Sequence, residues 1–225
     1  MFGPRQSGAL DSTMKQTFSD IVRRSWFAPK TWAFWRALIV CFIVFNIVGH
    51  WVELGYCVII DSLFNAVEDH YAVWDDPWWH PYWVYGFGVV FMTLVFEPIK
   101  ERLMKNSSSV GITILKTFLL AMFVSMVLEL TFGLLVNQPD ASGQYPYWNN
   151  EKLPLNVLNQ AWLVNDFFLG LASTVYVWVV FPLVCAGFER LKPRTANIVF
   201  AVIVAVFVLC CVLSYQEIIA SGRLG

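Results

Sequence analysis

The sequence predicts an all-α fold: a polytopic membrane bundle of about five transmembrane helices. Two observations carry the prediction. Of the 225 residues, 58% are hydrophobic and only 14% are charged, against about a quarter charged in a soluble domain. The apolar residues also gather in five runs, each near the ~20 residues a helix needs to cross the hydrocarbon core. A mean hydropathy of +0.59 agrees.

The runs cover roughly 34–60, 82–103, 112–136, 161–187 and 196–219. Each is too apolar all round for a surface helix. In lipid each backbone amide must be satisfied within its own segment, which favours helices over strands. The expected organisation is a cytoplasmic segment over 1–33, one transmembrane domain over 34–219 and a short external tail over 220–225. In the first segment Phe18, Ile21, Val22, Trp26 and Phe27 alternate with Lys15, Arg23, Arg24 and Lys30. That pattern fits an amphipathic helix lying on the membrane surface or a disordered lead-in to the first span. No cleavage site follows the first apolar run, so it is not read as a secretory signal.

Basic residues orient the spans. Arg5, Lys15, Arg23, Arg24, Lys30 and Arg36 precede or open the first. Lys100, Arg102, Lys105 and Lys116 lie beside the second and third, and Arg190, Lys192 and Arg194 separate the fourth and fifth. Only Lys152 and Arg223 fall on the other side. The positive-inside rule then predicts a cytoplasmic amino terminus and an external carboxyl terminus. The loop 61–81 is acidic, with Asp61, Glu68, Asp69, Asp75 and Asp76, and begins a cluster of Tyr71, Trp74, Trp78, Trp79, Tyr82, Trp83 and Tyr85. These rings suit an interfacial belt or an aromatic floor for an external ligand.

Spans one and two resemble spans three and four. Glu53 and Glu129 each stand three residues before an aromatic, Tyr56 and Phe132, at an offset of 76 residues. Pro98 and Pro182 follow Phe-rich runs at an offset of 84. Both halves start on the same side, which describes a parallel two-helix repeat plus an unpaired fifth span.

Charge at membrane depth costs about 2.5–3.5 kcal/mol on insertion scales, which makes His50, Glu53, Glu129 and Asp166 candidates for a site. Asn46 and His50 share the helix face of Glu53, and Asn165 precedes Asp166 in the fourth span. Grouped across the bundle, Glu53, Glu129, His50, Asn46, Asn165 and Asp166 would form a polar cluster opening outwards. Such a cluster could hold a cation or polar substrate, or relay protons. The alternative is that these groups satisfy one another as interhelical glue. No cofactor is expected. A paired-histidine haem needs two intramembrane histidines, and a zinc site from His70, His80, Asp75 and Asp76 fits no familiar spacing. The five cysteines fall in apolar runs and read as packing residues. The motifs GxxxxGK[ST], GxSxG, HExxH and GxGxxG are absent from the sequence, so no ATPase or hydrolase activity is read from it. Its few, membrane-hugging basic residues do not suit nucleic acid.

Certain motifs bring a family into view. Gly49-His50-Trp51-Val52-Glu53-Leu54-Gly55-Tyr56 stands in the first span, and Pro81-Tyr82-Trp83-Val84-Tyr85-Gly86-Phe87-Gly88 opens the second. Glu129 precedes Phe132 in the third, followed by Trp148-Asn149-Asn150 and Pro154-Leu155-Asn156. Over roughly 36–192 the chain resembles the bacterial ABC-transporter permease family of the CmpB-like, type IV kind. It departs where the family carries Cys-Pro, here Trp83-Val84, and an acidic residue, here Asn149. The resemblance implies a bacterial cytoplasmic membrane and a permease-like transport subunit, with a separate ATPase or a second copy of the chain as partner. Two other readings stay open: a non-transporting structural or regulatory membrane protein, and a membrane enzyme using Glu53, His50 and Asp166 for acid–base work.

Overall fold

The five apolar runs are five helices. The computed structural model describes residues 17–69, 71–106 and 109–222. Arg5, Lys15, His70, Arg223 and the end of the expected external tail lie outside these residues. A short helix α1 (Phe18–Arg23) comes first. The spans are α2 (Trp32–Phe64), α3 (Trp83–Lys105), α4 (Val110–Val136), a composite fourth helix and α7 (Pro193–Ala220). The fourth joins α5 (Leu163–Val175), a π-helical turn (Tyr176–Val180) and α6 (Phe181–Glu189). All five are long and apolar enough to cross a membrane.

Local chemistry sets the helix ends. Thr31 caps α2 by accepting the Phe34 N–H at 3.3 Å, and Ser109 does the same for Ile112 at 3.5 Å at the start of α4. Asn65 closes α2 in the left-handed region at φ 48°. Pro193 opens α7, where its missing N–H leaves no helical bond unmade.

The spans pack as two helix hairpins, α2 on α3 and α4 on α5. The duplication offsets recur in how they touch. A β-carbon on Gly86 of α3 would meet the side chain of Asn46 of α2, and one on Gly170 of α5 would meet Met122 of α4. These pairs differ by 84 and 76 residues. Small residues let backbones approach where lipid gives no hydrophobic drive between helices. The core between the hairpins gathers Leu38, Cys41, Phe96, Val177 and Phe181.

The bundle has a basic end and an aromatic end. At the basic end the 17–31 segment is tied underneath. Thr17 and Asp20 form a reciprocal capping box. Ile21 and Trp26 are buried, with Trp26 Nε1 donating to the Ile21 carbonyl at 2.8 Å. Arg24 lies over the Trp26 ring at 4.3 Å and makes a two-pronged pair with Glu189 at 2.8 Å. Phe18 stays exposed.

At the aromatic end, loop 137–162 is knotted onto the top of α4. Buried Asn137 donates to the Trp148 carbonyl at 2.7 Å and to Gln160 Oε1 at 2.9 Å, and Gln160 donates back to the Asn137 carbonyl at 2.9 Å. Strands β1 (Asn156–Val157) and β2 (Ala161–Trp162) form a small antiparallel hairpin leading into α5. Its turn holds Leu158 and Asn159 at φ 54° and 59°. Helix α7 packs chiefly along α2. Arg36 binds Asn197 Oδ1 at 3.0 Å at one end, and Ser214 Oγ meets His80 Nδ1 at 2.6 Å at the other. Between these clamps runs an apolar groove of about 360 Å³ lined by Ile43, Ile47, Val206 and Phe207.

Candidate functional site

The α4–α5 hairpin brings three of the predicted polar residues together in the half of the bundle nearer the aromatic end. Asn165 donates to Glu129 Oε1 at 3.0 Å. Asp166 is completely buried, and neither of its carboxyl oxygens receives a hydrogen bond from an N–H or O–H. It faces the carboxyl of Glu129, whose Oε2 is also without a donor. Two carboxylates are both acceptors, so a contact between them is a hydrogen bond only when one carries a proton.

Glu53 lies on the matching face of the α2–α3 hairpin. It accepts the Tyr85 hydroxyl, and the Cys57 thiol lies 3.9 Å from its other oxygen. Tyr56, one helical turn along, is within electrostatic reach of Glu53, Glu129 and Asp166 alike.

Asn46 and His50 stand apart from it. Asn46 is completely buried and donates to the Phe42 carbonyl at 2.9 Å, while its own carbonyl accepts the Tyr82 N–H at 2.9 Å. It belongs to the close crossing with Gly86. His50 stacks on Tyr82 with ring centroids 4.3 Å apart and an interplanar angle of 4°, and its Nδ1 lies 3.1 Å from the His80 carbonyl. The Tyr82 hydroxyl donates to Asp76 at 3.1 Å. Burial first, then the Asp76 charge, holds that phenol above its usual range, so it stays a neutral donor.

The aromatic cluster therefore divides. Tyr82 and Tyr85 turn inward to polar partners, and Tyr71 is buried, while Trp78 and Trp79 are exposed. His80 is engaged with Ser214 and Tyr215. His70 lies outside the described residues. Among the described residues no group of three or more His, Cys, Asp and Glu is placed to hold a metal ion. All five cysteines are free.

Sequence reasoning missed a second polar pair in the other half of the bundle. Glu97 and Lys100 of α3 are 0% and 2% exposed and joined at 2.8 Å. Lys100 Nζ also donates to the Val177 carbonyl of the π-helical turn at 2.9 Å and lies 5.6 Å from the Trp178 ring centre. Thr93 Oγ1 and the Tyr176 hydroxyl meet at 2.7 Å nearby. Lys100, counted above among the orienting charges beside the membrane, is inside the bundle. The readable signal was the spacing of three between Glu97 and Lys100, which puts opposite charges on one helix face. Arg36 is buried as well, over the Phe188 ring at 4.8 Å.

Five apolar spans with ionisable groups between them define a multi-pass helical membrane protein. A family comparison carries this further. The family described as "Putative ABC-transporter type IV" matches residues 40–215, and the chain belongs to it. The match reaches across the fifth span, beyond the 36–192 stretch that carries the motif resemblance. No curated protein matches the sequence and no solved structure matches it.

Proposed function

We propose that this protein is the permease-like subunit of a membrane transport system, with an intramembrane site for a cation or proton formed by Glu53, Glu129 and Asp166 around Tyr56. The single observation that supports this most is Asp166. A completely buried carboxyl without a donated hydrogen bond, set against a second carboxyl, is costly for folding alone. A positive species between the two acids offsets that cost. The order of charges along the chain supports a cytoplasmic basic end, with the acidic group nearer the outer face. No Walker motif stands in the sequence, so energy would come from a separate ATPase or from an ion gradient.

A second reading has its own observation. Glu53 is capped by Tyr85 and Glu129 by Asn165, as expected of interhelical glue in a scaffolding or regulatory subunit.

Affinity purification of the full-length chain from its native membranes tests the permease reading. An ATPase with a Walker motif is expected to co-purify. Its absence, with the E53Q/E129Q double variant behaving like wild type in cells, favours the scaffold and removes the site.

A further inference from the structure

We propose that Lys100 is a positioning residue that sets the register of the fourth span, and thereby the placement of Asp166 against Glu129. Pro182 has no N–H to give. In a π-helical turn each N–H reaches five residues back, and the Phe181 N–H does so, to the Tyr176 carbonyl. The next donor in that ladder would be residue 182, with the Val177 carbonyl as its acceptor. Proline leaves that carbonyl bare at membrane depth, where water cannot satisfy it. Lys100 Nζ supplies the missing donor at 2.9 Å. Glu97 holds the ammonium at 2.8 Å, and both side chains are enclosed. The Glu97–Lys100 pair thus does more than neutralise itself, because it completes the backbone of another helix.

An uninterrupted α-helix through 176–180 would behave differently. The Phe181 N–H would bind the Val177 carbonyl, and the bare carbonyl would move to Trp178. That register gives Lys100 no acceptor. It also takes up the one extra residue of the π turn, so α5 would rotate against α6 by about 100°. Phe167 packs edge-on against Phe118 of α4 with ring centroids 5.3 Å apart. After such a rotation Phe168 would take its place, and Asp166 would turn away from Glu129. Lys100 stabilises the π register alone, which is the one that assembles the acidic group. The inference concerns geometry and holds whichever species the group binds.

Disulfide cross-linking of the full-length chain in lipid nanodiscs tests it, with the five native cysteines replaced by alanine. F118C/F167C reports the observed register and F118C/F168C the rotated one. The background is E97Q/K100M, which removes the donor without leaving a buried charge. The 118–167 yield is expected to fall severalfold and the 118–168 yield to rise. E97Q alone keeps the Lys100 donor to the Val177 carbonyl and is expected to retain the 118–167 cross-link. An unchanged 118–167 yield in E97Q/K100M overturns the proposal. So does a loss of the same size in E97Q, since the ion pair and not the Lys100 donor would then set the register. If E97Q/K100M does not fold, adding P182A, which satisfies the backbone in either register, is expected to recover folded protein with the 118–168 cross-link, and continued failure or a retained 118–167 cross-link overturns the proposal. The readout uses no transport assay, so it stands or falls separately from the permease reading.

Discussion

Gly170 stands so close to Met122 that a β-carbon on it would lie 2.8 Å from the methionine Cβ and 2.9 Å from its Cα. The near atoms include backbone, so relief requires moving α4 or α5. The G170A variant is expected to lose about 1–3 kcal/mol of stability through overpacking. Gly88, with nothing within 4 Å of its would-be β-carbon, is the control, and G88A is expected to unfold with wild type. Thermal unfolding in detergent, followed by tryptophan fluorescence, checks both. Equal midpoints for the two variants would refute the close crossing.

The Glu97–Lys100 pair predicts an asymmetry. K100M leaves a buried carboxylate without its counter-charge and is expected to cost about 3–5 kcal/mol. E97Q/K100M removes the charge imbalance and is expected to unfold at a higher temperature than K100M. The same unfolding assay decides, and an order reversed from this would show that Glu97 does not depend on Lys100.

Asp166 is expected to trade stability for activity. D166N supplies an amide that can donate to Glu129, so the midpoint should hold or rise, by about 1 kcal/mol in stability. Any transport activity should fall sharply. A strong loss of stability would show instead that Asp166 is structural.

Acid should loosen α1. Asp20 accepts from the Thr17 hydroxyl first and from the Thr17 backbone second, and these bonds lower its carboxyl below the usual value. A group whose folded value is depressed stabilises the fold above its unfolded value and loses that contribution as pH falls through the folded one. Amide exchange at Ile21 is therefore expected to accelerate, once corrected for intrinsic rates, as pH drops below the usual carboxylate range. T17A should raise the exchange at neutral pH and flatten the profile.

Trp26 is the anchor of the segment beneath the bundle. Removing its buried ring in W26A is expected to release residues 17–31, because a large aromatic-to-alanine change costs about 3–5 kcal/mol. Limited proteolysis is then expected to cut near Arg23 and Arg24 faster than in the wild type, where the buried Trp26 ring holds the segment. E189Q alone should change little, since exposed ion pairs contribute about 0–1 kcal/mol.

Much of this molecule was legible from residue order, for physical reasons. Lipid forces long apolar runs into helices, so the five spans could be read within a few residues of their ends. The offsets of 76 and 84 were readable because glutamate and proline are rare in such runs. The candidate site was harder. Glu129, Asn165 and Asp166 were found because charge in lipid is conspicuous, whereas their separation from Asn46 and His50 depends on how the hairpins lean on each other. Glu97 and Lys100 escaped because they stand near the end of a span, where charges usually reach water. The π turn left no composition signal except Pro182. The Trp148 motif that carries the family resemblance serves the loop knot around Asn137 and Gln160, and the Pro154 carbonyl holds the Trp162 indole N–H beside it.

The fifth span gives bilayer thickness a handle on the protein. Its 28 residues make a rod of about 42 Å, against a hydrocarbon layer of about 30 Å. Tilting is one way for a span of this length to fit that layer. Because Asn197 fastens the rod to Arg36 of α2 and Ser214 fastens it to the His80 loop, whose carbonyl meets His50 of α2, a tilt imposed by thinner or thicker lipid would pull on α2 directly at one end and through that loop at the other.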